Sequence, residues 1–294
     1  MRIAIFGSAR ISHSQEELLT LVELLDKYTD SYFVNTEFAA QIMSLTTVNI
    51  DKQQIYSSVD DFPNGVDYVI SYGGDGTFLD CVRIVSDRPI PILGVNSGRL
   101  GFLANVTKAG LEEALIDLKN KKYTLEKRSL LKLSGMEHLV DYPYALNEIG
   151  IQKGEVNMID VEVAINEEFV ASYRGDGVLF ATPTGSTAYS LSVGGPIVSP
   201  NAECLVIAPV APHTLTMRPL VIPNNVNLKI KPQSRNKSHF LTLDNRSYTI
   251  PNGCEFYISK AEKSIILILL QNNSFYRTLR NKMMWGVDRR DSHL

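Results

Sequence analysis

The apolar run Val66-Asp67-Tyr68-Val69-Ile70-Ser71-Tyr72 leads directly into Gly73-Gly74-Asp75-Gly76-Thr77, and a helical pattern over Thr77–Val85 follows. A strand buried on both faces, a glycine turn and a helix make the repeating unit of a parallel α/β sheet. Glycine lets the backbone take φ > 0 and lets a ligand approach the main chain. Successive N–H groups in such a turn, with a helix N-terminus behind them, suit a phosphate. Phosphate oxygens repel a carboxylate, so Asp75 does not belong to a bare phosphate cradle. It fits a group that works beside the phosphates, on a hydroxyl or through a metal ion. A tight turn with Asp75 capping the helix accounts for the same residues.

The flanking sequence extends this unit. Arg2–Phe6 reads as a first strand rather than the start of a signal peptide. Ser14 and Glu17 form a capping box ahead of Leu18, Leu21, Val22, Leu24 and Leu25 at helical spacing. Tyr32–Val34 reads as a strand, Glu37–Leu45 as a helix, Ile90–Val95 as a strand and Leu111–Leu118 as a helix. This order predicts a parallel sheet with helices on its faces, whose ligands sit beyond the carboxyl ends of the strands. Gly73–Thr77 and Gly94-Val95-Asn96-Ser97-Gly98 both fall there.

From about Tyr123 the period changes to two, as in Ile159-Asp160-Val161-Glu162-Val163-Ala164-Ile165. Asn166-Glu167-Glu168 turns that run into Phe169–Tyr173, and Asn225–Lys231, Phe240–Leu243, Phe256–Ser259 and Ile265–Leu270 read as further short strands. The pattern predicts an all-β antiparallel, sandwich-like second domain. The expected division is 1–122 for the α/β domain, 123–272 for the β domain and 273–294 for a tail packing back on the first, with Trp285 packing it down. The active site is expected between the two domains.

Bulk properties exclude several classes. The 294 residues carry a net charge of −3, which argues against broad nucleic-acid binding. Nothing approaches the length of a membrane span. The three cysteines, Cys81, Cys204 and Cys254, have no metal spacing and fit a reducing, cytoplasmic setting. No Gly-x-x-x-x-Gly-Lys-Ser/Thr and no Gly-x-Gly-x-x-Gly after the first strand is present.

Further words could carry chemistry. Thr182-Pro183-Thr184-Gly185-Ser186-Thr187-Ala188-Tyr189 offers hydroxyls and an aromatic ring suited to a base and sugar, or is a Ser/Thr-rich loop. Arg174-Gly175-Asp176-Gly177 lies between two strand-like runs; it fits a hairpin turn, and Arg174 is also able to neutralise a phosphate. Asn147-Glu148 can read an adenine edge and ribose hydroxyls. His213 reads as a loop residue.

Together these words resemble the bacterial NAD kinases. The resemblance spans Gly73–Thr77, Gly94–Phe102, Leu146–Glu148, Arg174–Gly177, Thr182–Tyr189, Pro212–Leu215 and Arg218–Leu220. It implies transfer of a phosphoryl group from ATP, or from inorganic polyphosphate, to the 2′-hydroxyl of the adenosine ribose of NAD, giving NADP, with a divalent cation, Mg2+ for preference. It implies Asp75 as the proton acceptor. It implies NAD contacts from Gly76, Asn147, Glu148, Arg174, Thr187, Ala188, Tyr189 and Ser192. Asp176 would reach NAD in a neighbouring subunit, which makes the protein a homo-oligomer, dimer or tetramer. Relatives often have Gly or Ser after the aspartate where this chain has Asp244-Asn245-Arg246, and a basic residue or His at Asn157, so those positions have no assigned role. Two other readings share features: a lipid kinase of the diacylglycerol or sphingolipid type, which has the same glycine-rich loop, and a non-catalytic NAD-sensing module. The first wants a basic amphipathic helix, which is missing; the second is expected to lack Asp75.

Overall fold

The computed structural model describes residues 1–98, 101–271 and 273–286. Arg99 and Leu100 of the Gly94–Phe102 word, and residues 287–294 of the expected tail, lie outside the described residues. The chain divides into two units: Met1–Lys127 with the segment from Ile265 onward, and Arg128–Ser264.

The first unit is a parallel α/β layer. In chain order it comprises β1 (Arg2–Gly7), α1 (Gln15–Tyr28), β2 (Ser31–Asn35), α2 (Thr36–Leu45), β3 (Ile55–Tyr56), β4 (Tyr68–Tyr72), α3 (Asp75–Val85), β5 (Ile92–Asn96), β6 (Val106–Thr107) and α4 (Leu111–Lys119). The strands pair in the order β5-β4-β1-β2-β3, all parallel. The capping box at Ser14 and Glu17 is formed as expected. Leu18, Leu21, Val22 and Leu25 of α1 bury themselves with Ile3, Ile5, Val34 and Phe38. β4 is buried from Val69 to Tyr72, the signature of a strand covered on both faces.

The second unit is a β-sandwich. It is entered by β7 (Tyr123–Ser134) and β8 (Tyr144–Ala145), and continues through β9 (Glu148–Lys153), β10 (Ile159–Ile165), β11 (Glu168–Gly175), β12 (Gly177–Ala181), the short α5 (Tyr189–Ser192), β13 (Cys204–Val210), β14 (Leu220–Pro223), β15 (Asn227–Gln233), β16 (Ser238–Leu243) and β17 (Arg246–Pro251). One sheet runs β14-β13-β12-β9-β16-β17 and is antiparallel throughout. Its inner face shares a core with strands β10, β11 and β15: Ile149, Phe180, Ile207 and Leu241 from one side meet Val161, Tyr173 and Ile230 from the other. β12 does not alternate because its other face is also covered, with Leu179 and Ala181 packing near Val193 and Val198.

Two elements differ from the sequence reading. The strands expected at Phe256–Ser259 and Ile265–Leu270 are one strand, β18 (Phe256–Leu270). The charged stretch between them keeps period two, with Ala261 turned inward between exposed Lys260 and Glu262. Its start pairs with β15 through Leu228↔Ile258, and Leu267 pairs with Ile92 of β5. The final helix, α6 (Phe275–Met283), buries Thr278 and Leu279. Trp285, expected to pack the tail down, is 55% exposed. It lies past the left-handed Met284 that ends α6, on no buried face of the helix.

Candidate functional site

In the first unit the chemistry gathers at the carboxyl end of β4. Gly74 caps α3 without a side chain, and Asp75 occupies its first turn, where a negative charge is favourable. The Asp75 carboxylate faces the segment that follows β5. The N–H of Phe102 donates to Oδ2 at 3.0 Å, and the N–H groups of Leu103 and Ala104 donate to Oδ1 at 3.1 and 3.0 Å. Gly101 makes this approach possible: a Cβ there would stand 1.9 Å from Oδ1. Lys282 Nζ of α6 lies 3.6 Å from Oδ2 and 4.8 Å from the centre of the Phe102 ring. A Cβ on Gly74 or Gly76 would enter open space, so no internal packing demands glycine there. Glycine at both positions leaves the backbone open to close approach. Neither Gly101 nor Lys282 stood out in the sequence as a site residue. Gly101 carried a signal in the word it shares with Phe102; Lys282 carried none.

In the second unit Glu148 opens β9 and Asn147 directly precedes it, and both are buried. The Thr182 word folds against them. Thr182 Oγ1 donates to the Leu146 carbonyl at 2.6 Å, and its N–H donates to that of Asn147 at 2.8 Å. Gly185 lies so close that a Cβ would meet the Asn147 carbonyl at 2.0 Å. The backbone of Tyr189 faces the Glu148 carboxyl, while Glu148 Oε2 is buried without a partner. Burial, and then the nearby Asp244 carboxylate, push Glu148 up to about 8. Tyr189 is 40% exposed, with its ring open to stacking, and Ser192 is exposed in the same short helix. Thr187 and Ala188 lie between, part-buried.

Arg174 and Asp176 are not gathered into this cluster. Ala181 pairs with Glu148 at one end of β12 and Gly177 with Gln152 at the other, a separation of about 13 Å at strand rise. Arg174 pairs with Asp160 at 3.1 Å, and Asp176 with Lys153 at 2.7 Å. Asn157, beside them, donates to Asn236 Oδ1 at 3.1 Å. His213 lies in an exposed stretch with Leu215. Among the described residues no set of three or more His, Cys, Asp or Glu side chains is placed to hold a metal ion, and no helix is long and apolar enough to cross a membrane.

Comparison with known proteins agrees with both halves. Residues 13–123 match the family model of the ATP-NAD kinase N-terminal domain, and residues 146–270 that of the ATP-NAD kinase C-terminal domain. The chain belongs to the NAD kinase family. A member from Flavobacterium psychrophilum is 40% identical over 295 residues, covering 99% of this chain and 100% of the relative. One from Bacteroides fragilis is 41% identical over 292 residues at the same coverage. The family's fold is shared with the crystal structure of yeast NADH kinase complexed with NADH, at a TM-score of 0.85, 23% identity and coverage of 98% of this chain and 88% of that one. An NAD kinase from Archaeoglobus fulgidus in complex with ATP superposes at 0.74, with 26% identity and coverage of 97% and 99%.

Proposed function

We propose that the protein transfers the terminal phosphoryl group of ATP to the 2′-hydroxyl of the adenosine ribose of NAD, releasing ADP and NADP. The observation that carries this is the match of both domains, in order and over nearly the whole chain, to enzymes named NAD kinase.

The geometry supports a division of roles. Asp75 accepts the 2′-hydroxyl proton as that oxygen attacks the γ-phosphorus and the bond to the β-bridging oxygen breaks. A carboxylate offers about four lone-pair positions, and three backbone N–H groups leave one open. Oδ2, with a single N–H donor, is the oxygen assigned to the hydroxyl. The backbone at Gly74 and Gly76 meets the phosphates, and Lys282 adds positive charge near them. Glu148 Oε2 takes the ribose hydroxyls, Asn147 reads the adenosine half, and Thr187, Ala188, Tyr189 and Ser192 line its pocket. When bound, a divalent cation would supply charge neutralisation at the donor phosphates. Among the described residues no three or more His, Cys, Asp or Glu side chains form a cage for it, so phosphate oxygens and water would supply most of its ligands, as suits Mg2+.

A cytoplasmic homo-oligomer completes the reading. β11 is an edge strand with Phe169 64% exposed, which supports pairing with a second copy; on this reading Asp176, just past its end, reaches that copy's dinucleotide. The test is incubation with NAD, ATP and Mg2+, scoring NADP with an NADP-specific dehydrogenase. NADP formation is expected; no NADP, with phosphorylation of diacylglycerol or sphingosine instead, overturns the reading. Sedimentation at micromolar protein checks the oligomer, and a monomer that is fully active refutes the role given to Asp176.

A further inference from the structure

The turn Asp244-Asn245-Arg246, between β16 and β17, has no part in the roles above. Leu243 pairs with Ile149, which brings Asp244 beside the start of β9. Its carboxylate collects three consecutive backbone donors: Leu146 N–H to Oδ2 at 2.8 Å, and Asn147 and Glu148 N–H to Oδ1 at 2.7 and 3.2 Å. Its own N–H donates to the Glu148 carbonyl at 2.9 Å. The two remaining carbonyls of that tripeptide, on Leu146 and Asn147, are taken by Thr182. Every backbone polar group of residues 146–148 is therefore held by Asp244 or Thr182.

Arg246 grips the preceding residues. Its Nη1 and Nη2 donate to the carbonyls of Tyr142 and Tyr144, each at 2.5 Å, and its guanidinium lies 5.3 Å from the centre of the Tyr142 ring. A planar two-armed cation is suited to bridge two carbonyls, which a lysine ammonium is not. The acid holds N–H groups and the base holds C=O groups of one seven-residue segment.

We infer that Asp244 and Arg246 are positioning residues: they hold the backbone of residues 142–148 so that the Asn147 amide and the Glu148 carboxyl meet the adenosine half of the dinucleotide. The inference rests on the NAD-binding role proposed for those two side chains. A clamp with only a structural role would lower stability and weaken both substrates alike. A positioning clamp weakens NAD and spares ATP.

The test compares wild type with Asp244→Asn and Arg246→Met. Asp244 has φ 53°, a left-handed conformation that Asn tolerates, so the substitution changes the acceptor set and not the backbone. Asn presents an NH2 to the Leu146 N–H, and leaving one buried donor unpaired should raise the KM for NAD about tenfold or more. KM for ATP should stay within about twofold. Hydrogen exchange at the 146–148 amides should quicken in Asp244→Asn. If that variant does not fold, Arg246→Met, which keeps the stem packing, carries the same expectation with a smaller rise. An unchanged KM for NAD in a folded variant overturns the inference, as does a parallel rise for ATP with a fall in Tm. Wild-type protein that makes no NADP refutes the proposed reaction alone. The clamp is then judged by exchange, and unchanged amides at 146–148 overturn it.

Discussion

Asp75 and Asp244 use the same device in two different settings. Each carboxylate collects three consecutive backbone N–H groups, from residues 102–104 in one unit and 146–148 in the other. The donors of Asp75 belong to a segment without regular structure around Gly101, and its side chain remains 32% exposed beside an ammonium. The donors of Asp244 lead into β9, a strand paired on both edges by β12 and β16. Burial pushes Asp244 above the usual carboxylate range. On the proposed reading the ring of N–H donors on irregular backbone admits a hydroxyl, while the same ring built into a sheet serves as scaffold. The chemical role of an aspartate here follows from what carries its donors.

The sharpest way to break the comparison is to remove charge at the open ring. Asp75→Asn should bind NAD with little change, measured by calorimetry, while turnover falls about 10²-fold or more. Turnover near wild type would strip Asp75 of its role as base.

Next comes the steric condition for that ring. Gly101→Ala places a methyl where the carboxylate stands, so either the loop or Asp75 must move. Turnover should fall at least about tenfold, with a stability loss on the order of 1–3 kcal/mol in denaturant titrations. A variant with unchanged turnover would show that the ring around Asp75 has no bearing on catalysis.

The closed ring is probed through its neighbour, Glu148. Folded Glu148 titrates at about 8 against an ordinary value of 4.5, so between those values the native state keeps a proton that the unfolded chain releases. This group's stabilisation is complete below the unfolded value and is lost as pH rises through the folded one. Glu148→Gln carries no such proton. The Tm of the variant minus that of wild type should therefore increase by a few degrees between about pH 5 and about pH 8.5. A difference that is flat with pH would mean the carboxyl is solvated.

Lys282→Met should have the smallest effect. An exposed ion pair contributes about 0–1 kcal/mol, so Tm should hardly change, and turnover should fall only a few-fold. A fall as large as that of Asp75→Asn would move Lys282 into the reacting centre.

Sequence periodicity and turn chemistry were enough for the α/β layer because each signal there is local. Ser14 and Glu17 are three residues apart, and the glycine turn directly follows its strand. The sandwich was legible through alternation at 159–165, but β18 was read as two strands because charged residues interrupt the apolar ones at 259–264 without breaking the alternation of faces. The clusters around Asp75 and Glu148 were legible only as separate words. What joins them is long-range: Asp75 meets residues 102–104 and Lys282, and Glu148 meets Tyr189 and Asp244. No spacing rule encodes such contacts. Asp244 has no assigned role in the sequence, because its partners lie almost a hundred positions upstream.

The path of β18 also sets a timetable. Leu267 is the partner of Ile92 on the outer side of β5, yet it is made only after the entire sandwich. During synthesis β6 pairs early with Val95 and Asn96 on that edge, but the Ile92 position waits for its partner while the entire sandwich is translated, on the order of ten seconds or more at usual elongation rates. A nascent chain in this interval presents a partly open strand edge around Ile92, a form of backbone prone to pairing with other chains. The first unit is begun before the sandwich and completed after it.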